Sequence, residues 1–162
     1  MISKLSSSAT FIDSIFPTAG TASPAIQNGS AFDFTLTAID GSPLPLEQFR
    51  GKALLIVNTA SLCGFTCQYP GLQEIWERYQ NRGLVVVGVP SNDFGGQEPK
   101  GESEIQSFCR GAYGVTFPLA EKTTVRGQNA HEFYRWAADT LGVKRHPVLT
   151  LLRHEELTHL SS

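Results

Sequence analysis

The sequence predicts an α/β domain with a mostly parallel central sheet, because apolar runs alternate with segments of helical periodicity. Residues 53–57 and 84–89 are continuously apolar, which is typical of strands buried on both faces of a sheet. Between them, residues 66–82 predict a helix. Four residues share its apolar face: Leu72, Ile75, Trp76 and Tyr79. The strand–helix–strand order favours parallel strands joined by a crossover helix.

Before the first apolar run, the sequence predicts two short strands separated by a turn. Phe32, Phe34 and Leu36 alternate with polar residues, the period of two that indicates a half-buried strand. Asp is followed by Gly at 40–41, which predicts the turn, and residues 44–49 predict a second short strand and a helical turn.

After the second apolar run, the predicted order is loop, helix, strand and helix. Residues 90–101 contain adjacent glycines and two prolines and therefore predict a loop. Helices are predicted over 101–110 and 129–141, with a strand over 117–122 between them, and residues 148–152 have the composition of a further strand. The last helix is expected to turn three residues inward: Phe133, Trp136 and Ala137.

The composition is that of an ordinary globular protein of 162 residues and excludes several functional classes. A net charge of −2 and a pI near 6.1 argue against nucleic acids and anionic membranes as partners. No apolar run reaches the roughly 18 residues that a membrane-spanning helix requires. Three cysteines are too few for a secreted disulfide scaffold, so reduced thiols in the cytoplasm are expected.

Changes in composition divide the chain into three segments. Residues 1–30 are rich in small and polar residues without periodicity, and we expect a disordered tail or a misassigned start codon. A secretory or transit peptide is disfavoured, because the apolar positions are interrupted, Asp13 is present and arginine is absent. Residues 31–142 are expected to form the folded domain, and residues 143–162 an atypical C-terminal tail.

Cys63 lies in the loop between the first buried strand and the following helix. The free N–H groups and the positive dipole end of a helix favour a thiolate over a thiol. A thiolate is the form that attacks a peroxide oxygen and becomes a sulfenic acid. By position alone, a buried structural cysteine explains this residue equally well.

Four blocks of the sequence resemble the glutathione peroxidase family: residues 58–66 around Cys63, 92–99, 108–119 and 129–136. In that family the residue that attacks the peroxide is selenocysteine or cysteine, and Cys63 holds its position. The resemblance implies a thioredoxin-like fold with a central mixed sheet flanked by helices. It also implies reduction of hydrogen peroxide or organic hydroperoxides.

The resemblance assigns roles to two further residues. Gln97 matches the glutamine that polarises the peroxide, and its amide can donate to a peroxide oxygen. Cys109 matches the resolving cysteine of cysteine-type members, which forms a disulfide with the oxidised first cysteine. The resemblance therefore implies thioredoxin or glutathione as reductant and no metal or organic cofactor. The insertion that supports tetramers in some members is missing between Arg110 and Thr116, so we expect a monomer or dimer.

The sequence departs from the family pattern near its C-terminus. The family carries a Trp-Asn-Phe block whose Trp and Asn complete the catalytic tetrad, whereas residues 145–152 contain neither residue. The family's closing strand and helix are expected to be missing or replaced, which would expose an edge or a face of the sheet. Because hydrogen-bond donors to the thiolate would be lost, a catalytically impaired relative is the main alternative function.

Cys67 is a second departure, since the family usually has proline at this position. It creates a C-x3-C spacing with Cys63. A passive substitution is the simpler interpretation, and an alternative resolving thiol is possible if the first helical turn unwinds. Two thiolates at a strand-to-helix junction also resemble thioredoxin-fold copper chaperones, since soft thiolates select Cu(I). The loop at 95–99 and Cys109 speak against that third hypothesis.

Overall fold

The computed structural model describes residues 29–62, 66–141 and 150–152. Its strands and α-helices, in chain order, are β1 (Thr35–Thr37), β2 (Pro43–Pro45), β3 (Ala53–Thr59), α1 (Tyr69–Tyr79), β4 (Leu84–Pro90), α2 (Glu102–Tyr113), α3 (Glu132–Leu141) and β5 (Thr150–Leu152). The same described ranges also contain short 3₁₀ helices at Ala31–Asp33, Leu46–Phe49, Thr66–Gln68 and Gln80–Arg82. None of the helices in the described ranges is long and apolar enough to cross a bilayer.

A three-stranded sheet with the order β4-β3-β5 forms the centre of the domain, and β1 and β2 form a separate antiparallel hairpin. β3 and β4 run parallel, with Ala53 opposite Leu84 and Thr59 opposite Pro90, which confirms the predicted crossover. β5 pairs antiparallel with the other edge of β3, where it covers residues 54–56. The sheet is therefore mixed, as the resemblance implied.

The sheet carries a hydrophobic core on each face, because alternate residues of β3 and β4 point to opposite sides. The first core also contains residues of α3 and of the N-terminal hairpin; its members from β3 and β4 are Leu54, Ile56, Val85, Val87 and Val89. The second core lies against α1 and α2; its members include Leu55, Val57, Val86, Ile105 and Cys109. Burial on both faces explains why both strands are continuously apolar in the sequence.

The first predicted strand is shorter than expected, because residues 31–33 form a 3₁₀ turn. The backbone N–H of Phe32 donates to Ser30 Oγ at 3.2 Å, and the N–H of Ser30 donates to Asp33 Oδ2 at 2.7 Å. This reciprocal capping holds the turn, and extended pairing begins only at Thr35. The prediction of a strand from Phe32 is therefore wrong for its first residues.

Residues 117–122 do not form the predicted strand. The segment makes isolated bridges instead, from Leu119 to Gly88 of β4 and from Ala120 to Ala38 beside β1. Its backbone groups alternate between these two partners, since Ala120 N–H donates to Gly88 O and Ile39 N–H donates to Leu119 O. An extended segment that divides its hydrogen bonds in this way continues neither sheet.

The buried face of α1 also differs from the prediction, because Ile75 is 40% exposed and the polar Gln73 is 7% exposed. Two hydrogen bonds of the Gln73 amide explain why this residue, and not Ile75, faces inward. Its Oε1 accepts from Thr116 N–H at 2.8 Å, and its Nε2 donates to Thr116 Oγ1 at 2.7 Å. The predicted inward positions of Trp76 and Trp136 are confirmed, since both rings pack against the cores.

Gly88→Ala is expected to destabilise the protein by about 1–3 kcal/mol, because it overpacks the contact between β4 and the 117–120 segment. A Cβ atom at Gly88 would lie 2.7 Å from Leu119 Cδ2 and 3.1 Å from Phe117 Cε2. Urea unfolding measures this effect. The matched control is Gly111→Ala in α2, where an added Cβ meets open space and should raise stability by about 0.5–1 kcal/mol. Equal midpoints for the two variants would contradict the packing argument.

Candidate active site

The candidate site lies where β3 ends and the chain turns into α1. Ser61 and Leu62 lie two and three residues after the end of β3, and the 3₁₀ turn Thr66–Gln68 leads into α1, so the predicted strand-to-helix junction is confirmed. Cys63 itself lies outside the described residues, together with 64 and 65. Its role therefore stays a prediction, and the site is described from its neighbours.

Gln97 lies beside the segment that carries Cys63. The backbone N–H of Leu62, the residue before Cys63, donates to the carbonyl oxygen of Gln97 at 3.0 Å. The Gln97 side chain is half-buried. The structure thus brings together the two segments that the sequence separates by more than thirty residues.

Glu98 makes the second connection to this segment, and the sequence analysis missed it. Its Oε2 atom accepts from Ser61 N–H at 2.7 Å and from Ser61 Oγ at 2.9 Å. The residue is completely buried, and its Oε1 atom has no hydrogen-bond partner in the part of the chain that the structure describes. The only signal in the sequence was its place directly after Gln97, and the pattern gave no sign that this glutamate is buried.

The loop that carries Gln97 and Glu98 is itself anchored at several points. Ser91 N–H donates to Thr59 O, and Glu98 N–H donates to Asn92 Oδ1, each at 2.9 Å. Asp93 Oδ2 accepts from the backbone N–H groups of Val125 and Arg126 at 2.7 and 3.0 Å. Residues 91–98 therefore form a well-supported platform at the carboxyl ends of β3 and β4.

Cys109 lies on α2 and is fully buried in the second core. Three aromatic rings surround this part of the helix: the Tyr69 and Tyr113 rings stack with centroids 5.2 Å apart, and Phe108 meets both edge-on. Burial is the main reason that the pKa of the Cys109 thiol is raised above its usual value. The nearby Tyr69 hydroxyl opposes that rise only in part. Because the pKa stays above its usual value, Cys109 is protonated at neutral pH, and its burial makes the thiol inaccessible.

The Tyr69 hydroxyl extends this buried polar region toward the end of β3. Burial raises the pKa of Tyr69 well above its usual value, Cys109 adds to the rise, and the Thr59 hydroxyl opposes it. The negative charge of Glu98 also acts on both Tyr69 and Cys109, in each case disfavouring ionisation. Glu98 and the end of β3 are thus electrostatically linked to the Cys109 thiol.

Cys67 lies in the 3₁₀ turn before α1 and is exposed, in contrast to Cys109. Within the described ranges, no three His, Cys, Asp or Glu side chains are grouped to hold a metal ion. The copper hypothesis requires Cys63 as a ligand. Because Cys63 is outside the described residues, this hypothesis stays untested. Residues 145–149, where the family's Trp-Asn block was expected, are likewise outside the described residues.

The architecture and the junction define this domain as a thioredoxin-like α/β fold, and comparison with known proteins gives its family. The family model for glutathione peroxidase matches residues 31–138. The chain therefore belongs to the glutathione peroxidase family.

Individual relatives agree with this assignment. The chain is 54% identical over 109 residues to the hydroperoxy fatty acid reductase gpx1 of Synechocystis sp., covering 67% of this chain and 64% of that protein. It is 47% identical to the glutathione peroxidase-like peroxiredoxin GPX5 of Chlamydomonas reinhardtii, covering 67% of each. The crystal structure of T. cruzi GPX1 superposes with a TM-score of 0.54 at 30% identity, covering 68% of this chain and 66% of that one. The chain thus matches just under two thirds of the length of the Synechocystis relative.

Proposed function

We propose that this protein is a thiol peroxidase in which Cys63 attacks the peroxide, Gln97 polarises it and Cys109 resolves the oxidised thiol. The observation that supports this assignment most directly is the hydrogen bond between Leu62 N–H and Gln97 O, because Leu62 is the residue before Cys63 in the sequence. The names of the Synechocystis and Chlamydomonas relatives also describe peroxide chemistry.

The proposed reaction proceeds in three balanced steps. The Cys63 thiolate attacks the terminal oxygen of ROOH, the O–O bond breaks, and the products are Cys63 sulfenic acid and, after protonation, ROH. The Cys109 thiol then attacks the sulfenic sulfur, forming a disulfide and releasing water. An external dithiol, or two molecules of glutathione, reduces the disulfide and becomes oxidised in turn.

The burial of Cys109 determines how the second step takes place. A disulfide requires Cα atoms about 4.4–6.8 Å apart and sulfur atoms within bonding distance of each other. Because Cys109 is enclosed by α1, α2 and the aromatic rings, α2 must open locally before the thiol reaches Cys63. We therefore expect disulfide formation to be slower than the reaction with peroxide.

The name of the Chlamydomonas relative, a glutathione peroxidase-like peroxiredoxin, favours thioredoxin over glutathione as the reductant. The name of the Synechocystis relative, a hydroperoxy fatty acid reductase, favours organic hydroperoxides among the substrates. We further expect a monomer or dimer that acts in the cytoplasm, where its thiols stay reduced.

The decisive experiment is peroxide consumption by the purified protein with thioredoxin or glutathione as reductant. We expect turnover with thioredoxin that falls to background in Cys63→Ser, since the hydroxyl of serine is a far weaker nucleophile than a thiolate. A folded protein without Cys63-dependent turnover would instead establish the alternative, an impaired relative that lacks the Trp-Asn block. Circular dichroism of both proteins provides the control for folding.

A further inference from the structure

Glu98 occupies an unusual position for a carboxylate. It is completely buried, and no lysine or arginine of the described residues forms an ion pair with it. Burying an unpaired charge is costly unless several hydrogen bonds compensate it. Among the described residues, one oxygen, Oε2, is compensated, by the N–H and hydroxyl of Ser61, and Oε1 has no partner.

The hydrogen bonds of Glu98 act together with those of its neighbour. Ser61 N–H and Leu62 N–H are consecutive backbone donors, and they bind Glu98 Oε2 and Gln97 O, respectively. The Ser61–Leu62 turn is thereby held against Gln97 and Glu98 by two adjacent hydrogen bonds. The acceptor is fixed in its turn, because Glu98 N–H donates to Asn92 Oδ1 at 2.9 Å.

We propose that Glu98 is a positioning residue for the peroxide reaction: it fixes the Ser61–Leu62 turn against the backbone of Gln97 and so supports the reactivity of Cys63, the next residue in the sequence. This inference rests on the proposed function and adds to it a residue that touches neither substrate. Its effect arises through Ser61, which lies two residues after the end of β3 and two residues before Cys63 in the sequence. A misplacement of about 1 Å at such a point reduces reaction rates roughly 100-fold.

The test compares Glu98→Ala, Glu98→Gln and Ser61→Ala with Glu74→Gln, a matched charge-removing control on the exposed face of α1. Two quantities are measured on folded protein: the second-order rate constant of a single turnover with peroxide, and the pH midpoint of Cys63 alkylation by iodoacetamide, followed by peptide mass spectrometry. Only the first of them depends on peroxidase activity.

We expect Glu98→Ala to lower the peroxide rate constant roughly 100-fold and to shift the alkylation midpoint. Glu98→Gln should recover part of the rate, because an amide oxygen still accepts from Ser61. Ser61→Ala, which retains the backbone N–H bond, should lose less than Glu98→Ala, and Glu74→Gln should match the unmodified protein. A merely structural role would lower the melting temperature but leave rate and midpoint unchanged.

A folded Glu98→Ala variant with the rate and alkylation midpoint of the unmodified protein would overturn the proposal. If the Glu98 variants do not fold, Ser61→Ala decides, since it removes one donor and leaves the carboxylate in place. Failure of the proposed function is distinguishable: the unmodified protein then shows no Cys63-dependent reaction with peroxide. In that case the alkylation midpoints still support or overturn the link between Glu98 and Cys63.

Discussion

The Cys109→Ser variant is expected to reduce one equivalent of peroxide per chain and then to stop. Its Cys63 retains its surroundings, so the first step proceeds at the normal rate, but no thiol is left at the α2 position to form the disulfide. Turnover with thioredoxin should fall to background, and the sulfenic acid should accumulate in a form that dimedone traps. A peroxide-pulse experiment with dimedone labelling measures both results.

Cys67→Ser is the matched control, because it removes the exposed thiol of the 3₁₀ turn and leaves the buried one. We expect this variant to turn over like the unmodified protein. The opposite pattern, with turnover retained in Cys109→Ser and lost in Cys67→Ser, would make the C-x3-C pair the redox-active one. That outcome has a physical basis, because Cys67 is exposed and Cys109 is buried. The comparison therefore tests the assignment of Cys109 directly.

The folding stability is expected to fall steeply above about pH 10. Burial raises the pKa values of Tyr69 and Tyr134 in the folded protein above their ordinary value of 10.0. In the unfolded chain both hydroxyls ionise near that value, so at about pH 11 the unfolded state has released protons that the folded state still holds. The stability that these groups provide is fully present below pH 10 and is lost as the pH rises toward the folded pKa values.

The expected size of this loss is about 1.4 kcal/mol for each tyrosine per pH unit, or about 3 kcal/mol for both at about pH 11. The raised pKa of Cys109 acts in the same direction from lower pH values. Urea unfolding between about pH 7 and pH 11 measures the curve. Tyr69→Phe serves as the comparison, since it removes one of the two buried tyrosine hydroxyls and keeps the ring. That variant should lose about half as much; a flat curve for the unmodified protein would contradict the argument.

The order of elements was predictable from the sequence because it depends on local patterns. The continuous apolar runs of β3 and β4 result directly from burial on both faces of the sheet. One failure is local, the 3₁₀ turn that Ser30 and Asp33 hold at the start of the first predicted strand. The other failures involve partners distant in the chain. Gln73 is buried because it binds Thr116, more than forty residues away, and residues 117–122 fail to form a strand because they divide their hydrogen bonds between two neighbours. Periodicity contains no information about such partners.

The candidate site was predictable only in part, and for the same reason. Gln97 was identified through a resemblance, and the structure places its backbone next to Leu62. Glu98 was missed because its importance comes from Ser61, which lies 37 positions earlier in the sequence. A charged residue in a glycine-rich loop is ordinarily exposed, so a single sequence predicts the opposite of its true environment.

The presence of a separate core on each side of the sheet has a consequence for the energetics of the proposed cycle. Cys109 and the rings around it belong wholly to the core shared with α1 and α2, whereas α3 and the hairpin stabilise the opposite side. Opening α2 therefore disturbs the core on one face of the sheet and leaves the core on the other face packed. The proposed opening of α2 in every turnover therefore stays short of global unfolding, while Trp76 of α1, which packs against both cores, links the two sides of the sheet.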